Sequence, residues 1–526
     1  MFNGQPKGLY ALALANTGER FGYYTMLAIF TLFMQAKFGW SEAVAGQVYA
    51  IFLALVYFMP LAGGILADKI GYGRCVLIGI TVMFLGYGCL VIPTGADLMA
   101  QIIMYGGLAL VSVGTGLFKG NLQVLVGNLY DNPQYADKRD SAFSLFYMAI
   151  NIGAMFAPSM ANYITNAYLE GKGFKYTTDA VATYGDRAGE YLSTLSSGYS
   201  LCFGVACISV VLSVIIYLAC RNWFKHADMT QKQAKAANTD QAAVTELTPK
   251  QTKDRIIALL LVFAVVIFFW MAFHQNGSAL TFFAKKYTVG EVSGITRIGF
   301  NIWSLALIAV SVYFLISSFQ AKTIKNRFIL GLSTLVLWGG AFALYAQMDD
   351  PTSIMPSDFQ QFNPFFVVAL TPISMLIFAT LAKKGKEPSA PCKIALGMLV
   401  AALGFGVITM GSFGLISPMD LGNSTQNILS PNWLISTYLT LTFAELLLSP
   451  MGISFVSKVA PPQYKGMMMG GWFVATAIGN YLSSIPSLLW DKIPLIANWG
   501  ILIALCLISA VVMFALLKKL NAATQD

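Results

Sequence analysis

Charge is scarce in this sequence. Only 11% of its 526 residues are Asp, Glu, Lys or Arg, against about 25% in a soluble globular chain. Hydrophobic residues make up 57% and mean hydropathy is +0.66, which excludes a soluble enzyme. Histidine is scarcer still: His226 and His274 are the only two, at a spacing that rules out an HExxH zinc site, and neither a GxSxG elbow nor a P-loop is present. Cysteine supplies no framework either. Cys75, Cys89, Cys202, Cys207, Cys220, Cys392 and Cys506 form an odd set without a CxxC pair and read as small buried hydrophobes. No enzyme motif remains. The net charge of +9 does not imply nucleic acid, because on so apolar a chain basic residues collect in cytoplasmic loops. The N-terminus lacks the form of a cleavable signal, since its first apolar run begins near Tyr10 and carries Glu19 and Arg20.

What is abundant is long apolar runs. They predict helices over 10–36, 43–67, 75–93, 98–129, 141–168, 199–222 and 256–284, then 298–320, 327–347, 362–382, 393–416, 432–457, 466–489 and 495–517. Runs near the roughly 20 residues of a membrane crossing are too long for barrel strands, so the fold class is an all-α polytopic membrane protein with fourteen transmembrane helices. With the N-terminus inside, Lys69, Arg74, Lys138, Arg139, the stretch Arg221 to Arg255, Lys322 to Arg327, Lys383 to Lys393, Lys458, Lys465, Lys518 and Lys519 all fall on the cytoplasmic side. Lys37, Lys285 and Lys286 are the exceptions, and both termini are expected in the cytoplasm. The stretch 224–254 is rich in Gln, Ala, Thr and Lys and lacks an apolar stripe. It reads as a linker, giving an N-terminal six-helix bundle (1–222), a cytoplasmic linker (223–255) and a C-terminal bundle (256–526) with an inserted hairpin at about 298–347. Two six-helix halves rocking about a midplane site are a transporter plan.

Ionisable residues inside the spans point to that site, because each costs at least about 2.5 kcal/mol there and needs a partner or water. They are Glu19, Arg20, Lys119, His274 and Glu445. Both cations lie in the first half and Glu445 in the second, so a cavity between the halves has walls of opposite sign, which suits a zwitterion. Helical spacing puts Tyr23 and Tyr24 on the face of Arg20, and Tyr57 adds a third phenol. Asn151 and Asn363 are amides within apolar runs, able to donate and accept at once. Gly63 with Gly64, and Gly114 with Gly116 and Gly120, suit close helix approach.

At these positions the sequence resembles a known family. Asn16-Thr-Gly-Glu19-Arg20-Phe21-Gly-Tyr23-Tyr24 is similar to the ExxERFxYY motif of the proton-dependent oligopeptide transporters, the POT or PTR family of the major facilitator superfamily. Further similar stretches are Gly63 to Gly71 (GGILADKIG), Gly116 to Asn121 (GLFKGN), Phe146 to Gly153 (FYMAINIG), Gln361 to Pro364 (QFNP) and Ala444 to Gly452 (AELLLSPMG). Trp472 sits where the family has its eleventh-helix tryptophan. The resemblance implies that Arg20 and Lys119 receive a peptide carboxylate and that Asn151, Asn363 and Glu445 hold the peptide amine. Tyr23, Tyr24, Tyr57, Ser449 and Trp472 then line pockets, phenols and indole combining apolar surface with polar tips.

Three departures bear on coupling. The first Glu of ExxER is Asn16, which cannot exchange a proton. Leu27 stands where the family often has an Arg, and His274 stands where an acid usually precedes the Gln of the seventh helix. His274, with a reference pKa near 6.5, is then a substitute proton site beside Glu19 and Glu445, or a neutral hydrogen-bonded histidine. The extra helical pair is displaced too, falling after the seventh helix rather than in the central linker.

The expectation is a proton-coupled symporter importing di- and tripeptides by alternating access. It sits in the plasma membrane, bacterial inner membrane included, with the proton as coupling ion, no other cofactor, lipid as its surroundings and no obligate protein partner. Asn16 motivates an alternative, an uncoupled facilitator or a carrier of another small solute such as nitrate or a peptide-like metabolite. A non-transporting membrane sensor is a further rival.

Overall fold

Apolar runs bounded by capping residues fold as long helices in the computed structural model, which describes residues 4–130, 134–135, 139–228, 248–422, 424–461 and 464–525. The first half holds α1 (Lys7–Phe38), α2 (Glu42–Ile70), α3 (Tyr72–Val91), α4 (Leu98–Asn128), α5 (Arg139–Gly171) and α6 (Ala188–Ala219). The second begins with α7 (Pro249–Phe273) and α8 (Ala279–Tyr287), followed by α9 (Ile302–Gln320) and α10 (Ile324–Ala346). It ends with α11 (Phe362–Lys383), α12 (Ala390–Gly411), α13 (Asn432–Val459), α14 (Lys465–Leu482) and α15 (Leu495–Gln525). Local chemistry sets the boundaries. Asp97 caps α4 by accepting from the Ala100 amide at 2.9 Å, Thr248 and Gln251 form a capping box on α7, and Gly39 closes α1 at a left-handed φ of 63°.

Among the described residues, eleven segments are long and apolar enough to cross a membrane. The long helices outside that set are α1, α5 and α14, which carry Glu19, Arg20, Asn151 and Trp472.

The structure corrects several sequence boundaries. The run 256–284 is not one helix: α7 stops at Phe273 and α8 starts at Ala279. His274 caps α7, and the Gln275 amide takes up the Met271 and Ser483 carbonyls at 2.8 and 3.0 Å, so side chains replace the lost backbone bonds. The run 199–222 starts earlier, at Ala188, and 466–489 ends at Leu482 before a short turn at Ile485–Leu488. Of the linker 223–255, residues 229–247 lie outside the described residues, as does Lys138, and residues from Pro249 onward are already helical. The cysteines are all free, but only Cys75, Cys202 and Cys506 are buried and the other four are half-buried.

Helices α1 to α6 pack on one another, α3 against α4 and α6, α1 against α5 and α6, and α2 against α4. At the α2–α4 crossing a Cβ on Gly63 would stand 2.3 Å from the Gly116 carbonyl oxygen, so only glycine allows that approach. Gly64, by contrast, faces open space and Gly120 has ordinary clearance. In the second half α12 packs on α13 and α15, and α7 on α14 and α15. Helices α9 and α10 form the inserted hairpin, pinched at its base by an antiparallel pair of strands, β1 (Glu291–Val292) and β2 (Thr352–Ser353), with Glu291 opposite Ser353.

The halves meet along α2 with α14 and α5 with α11. Among the described residues, nearly all hydrogen bonds between them lie at the end away from both termini, the distal end. There Lys286 pairs with Glu42 at 3.2 Å and Lys285 donates to Gln35 at 3.0 Å. Asn162 bridges Ser357 and Asp358, Ser159 donates to Gln361, and Gln360 donates to the Ala28 carbonyl. The distal end is therefore closed. The three basic residues that break the positive-inside pattern thereby find partners, Lys37 donating to Thr94 at 2.7 Å.

Candidate functional site

Helix α1 brings Glu19 and Arg20 into the first bundle, where both are buried. The guanidinium closes on its own neighbour, Nε and Nη2 donating to Glu19 Oε2 and Oε1 at 2.5 and 2.6 Å. Bidentate pairing of this kind is among the stronger side-chain contacts. Arg20 also lies over the ring of Tyr23, 4.6 Å from its centroid. It is thus the ring face of Tyr23 that meets Arg20, while the hydroxyl lacks a partner among the described residues.

Lys119, on α4, makes no ion pair within 4 Å among the described residues. Its ammonium sits 4.0 Å from the centroid of the Tyr57 ring, a cation–π contact. Tyr57 belongs with Lys119 rather than with Arg20, and its other edge meets His274 of the second half, ring centroids 6.0 Å apart. His274 Nδ1 is 3.2 Å from the Trp270 carbonyl, and its ring packs on Trp270 and Phe273. The break that holds His274 also brings Gly277 against Tyr49: a Cβ there would stand 2.1 Å from the phenol oxygen. Thr31 donates to the Gly277 carbonyl at 3.0 Å.

The opposite wall is built on α11 and α13. Asn363 donates from Nδ2 to Glu445 Oε2 at 2.9 Å and to Thr442 at 3.0 Å. Glu445 Oε1 accepts from the Tyr147 hydroxyl of α5 at 3.3 Å, the one hydrogen bond between the halves at mid-height among the described residues. Asn151 lies one turn beyond Tyr147 and donates to its carbonyl at 3.0 Å. Trp472 of α14 is buried against Phe263.

The contacts join Glu19, Arg20 and Tyr23 in one group, Lys119, Tyr57 and His274 in a second, and Asn151, Tyr147, Glu445 and Asn363 in a third. Asn16 Nδ2, Tyr23 Oη and Ser449 Oγ are buried without partners among the described residues. Orphaned polar atoms are uncommon in folded proteins. Two members escaped the sequence reading. Tyr147 was legible as the hydroxyl one helical turn before Asn151, and Thr442 as the hydroxyl three residues before Glu445.

The model of the POT family matches residues 74–244 and 331–502. The chain belongs to the POT family. Relatives agree along nearly its whole length. A dipeptide and tripeptide permease B of Xenorhabdus bovienii (strain SS-2004) is 27% identical over 496 residues, covering 91% of this chain and 86% of the relative. A dipeptide and tripeptide permease A of Citrobacter koseri is 27% identical over 556 residues, covering 99% and 94%. A crystal structure of the peptide transporter POT in complex with sulfate superposes with a TM-score of 0.71 at 23% identity, covering 100% of this chain and 97% of that one. At that identity the match establishes the fold, the major facilitator arrangement of helices. This POT protein is a multi-pass membrane transporter and not an enzyme.

Proposed function

We propose that this POT protein is a proton-coupled symporter that imports di- and tripeptides by alternating access. The observation that carries the reading is the opposition of charge across the two bundles: Arg20 and Lys119 on one wall, and Glu445, held by Asn363 and reached by Tyr147, on the other. A peptide presents a carboxylate and an amine to such a pair of walls. Arg20 and Lys119 receive the carboxylate, and Glu445, Asn363 and Asn151 receive the amine. Tyr23, Tyr24, Tyr57, Ser449 and Trp472 line the space for side chains. The names of the relatives, dipeptide and tripeptide permeases, support this substrate class.

Coupling falls to groups that change charge. Glu19 occupies the Nε–Nη2 edge of Arg20, so protonating it removes the carboxylate's hold and frees that edge for the substrate. His274 and Glu445 are the other titratable members, and Glu445 exchanges its contact with Tyr147 as the halves rock. The proton is the only coupling agent required, with no organic cofactor or obligate protein partner. Basic loops on one side support a cytoplasmic position for both termini, and the bacterial sources of the relatives support an inner membrane. The closed distal end is then the outer gate, and the conformation faces inward.

Liposome uptake of a labelled dipeptide tests the reading. The expected result is accumulation above the outside concentration under an inward proton gradient, abolished by a protonophore. Equilibration without accumulation at every pH replaces the symporter with a facilitator, and competition by nitrate but not by dipeptides replaces the substrate.

A further inference from the structure

The inserted hairpin is not needed to close either bundle. Helix α10 touches little besides α9, and only its Thr334 and Ala341 are buried. Helix α9 is tied to the second half: Tyr313 donates to the Val368 carbonyl at 3.0 Å, and Gln361 donates to the Gly299 carbonyl at 3.1 Å. Its Trp303 leans the other way, edge-on to Phe156 of α5 with centroids 5.2 Å apart. The hairpin thus stands over the seam between the two halves.

Two clefts mark the hairpin. One, of about 550 Å3, is walled by Trp303, Val310, Leu337 and Leu344 among other apolar side chains. The second, of about 370 Å3, lies toward the α9–α10 turn and is edged by Ser317, Gln320, Asn326 and Leu330. Positions 303, 310 and 317 on α9, and 330, 337 and 344 on α10, are each seven residues apart. Seven residues are close to two helical turns, so both clefts lie along one strip of the hairpin and form a groove with an apolar length and a polar end. At that polar end Lys322, Lys325 and Arg327 are exposed, and no Asp or Glu occurs between Glu291 and Asp349 to balance them.

We propose that this groove binds an anionic phospholipid. Its phosphate is held by Lys322, Lys325 and Arg327 with Gln320 and Asn326 as polar partners, and an acyl chain runs along the strip toward Leu337. From Asn326 to Leu337 a helix rises about 16 Å, half of the roughly 30 Å hydrocarbon layer, which is the depth of one leaflet. Basic residues near a membrane surface attract anionic lipids, and the cleft beside them distinguishes this position from the basic turns elsewhere on the same side. The bound lipid fills the groove between α9 and α10. Nothing in this inference depends on the identity of the transported solute.

Native mass spectrometry of the delipidated full chain, titrated with phosphatidylglycerol or with phosphatidylcholine of the same acyl chains, tests it. Phosphatidylglycerol is expected to bind at least tenfold more tightly. The triple variant K322Q/K325Q/R327Q is expected to lose that preference. Leu337→Trp, which fills the groove and leaves every charge in place, is expected to weaken phosphatidylglycerol binding by a similar factor, and K383Q/K384Q, removing two exposed lysines from the end of α11, is expected to leave it unchanged. Equal binding of the two lipids by the unaltered chain overturns the proposal. So does undiminished binding by Leu337→Trp, or an equal loss in K383Q/K384Q, which reduces the effect to general surface charge. The charge variant and the groove variant perturb different features, so either one, folded by its thermal transition, is decisive.

Discussion

Arg20 and Glu19 occupy consecutive positions, yet their side chains close on each other inside the first bundle. Consecutive helical residues do not ordinarily face each other, so this geometry reflects burial that leaves the two charges no better partner. Lys119 has instead an aromatic face, which stabilises its charge while leaving its hydrogen-bond donors for a ligand. These differences set the expected behaviour of single substitutions. Removing a charge-assisted contact costs about 1.5 to 3 kcal/mol, roughly ten- to a hundredfold in affinity. Arg20→Ala and Lys119→Ala are expected to erase the preference for a free over an amidated carboxyl terminus, and Glu445→Gln the preference for a free over an acetylated amine. Competition assays with singly blocked dipeptides read both. The reverse pattern would show the peptide bound in the opposite sense.

At the scale of the element, the break between α7 and α8 matters most. A continuous helix through 274–278 would carry its residues past the first bundle. The break instead turns the Gly277 backbone against Tyr49 and lets Thr31 reach its carbonyl, joining α1, α2 and the seventh span where the distal ends meet. Gly277→Val puts a branched side chain where Tyr49 already stands. Overpacking of this kind costs about 1 to 3 kcal/mol, and here the cost falls on the closed distal state alone. The variant is expected to open that end, lengthening the distance between spin labels at Gly171→Cys and Ile428→Cys, with peptide uptake reduced at least tenfold. An unchanged distance with normal uptake would mean that this contact does not hold the gate.

In the proposed symport, protonation at the scale of the whole molecule biases the rocking of two halves. A coupled carrier needs a group that binds a proton in one state and releases it in the other, and Asn16 removes one such group from α1. With Glu19 paired to Arg20, the Glu19 carboxylate and a substrate carboxylate compete for the same guanidinium, so protonating Glu19 favours the substrate. Glu19→Gln is therefore expected to abolish gradient-driven accumulation while preserving exchange of labelled for unlabelled peptide across liposomes. His274→Ala is expected to shift the pH dependence of uptake and to retain accumulation, since His274 meets Tyr57 only ring to ring and is linked to Lys119 only by way of that ring. Loss of exchange in Glu19→Gln would assign the pair to folding, because breaking a buried ion pair by removing one partner costs about 3 to 5 kcal/mol.

Sequence alone determined the fold class, because fourteen apolar runs with basic residues on alternate turns admit few arrangements in a bilayer. It also singled out Glu19, Arg20, Lys119 and Glu445, since ionisable groups are costly within a span and need a partner or water. The tertiary structure decided which charges meet. Spacing along α1 does not reveal that Arg20 is closed by Glu19, nor that Tyr57 serves Lys119, because both depend on which helix faces are buried together. Tyr147 reaches Glu445 across 298 positions of sequence, a contact that only docking of the two bundles creates. The break at 274–278 was hidden for a similar reason: its lost backbone bonds are replaced by the Gln275 amide and by Ser483 from a distant helix. Local propensity records what a segment can do alone, and the choice among those possibilities was made by partners far away in the chain.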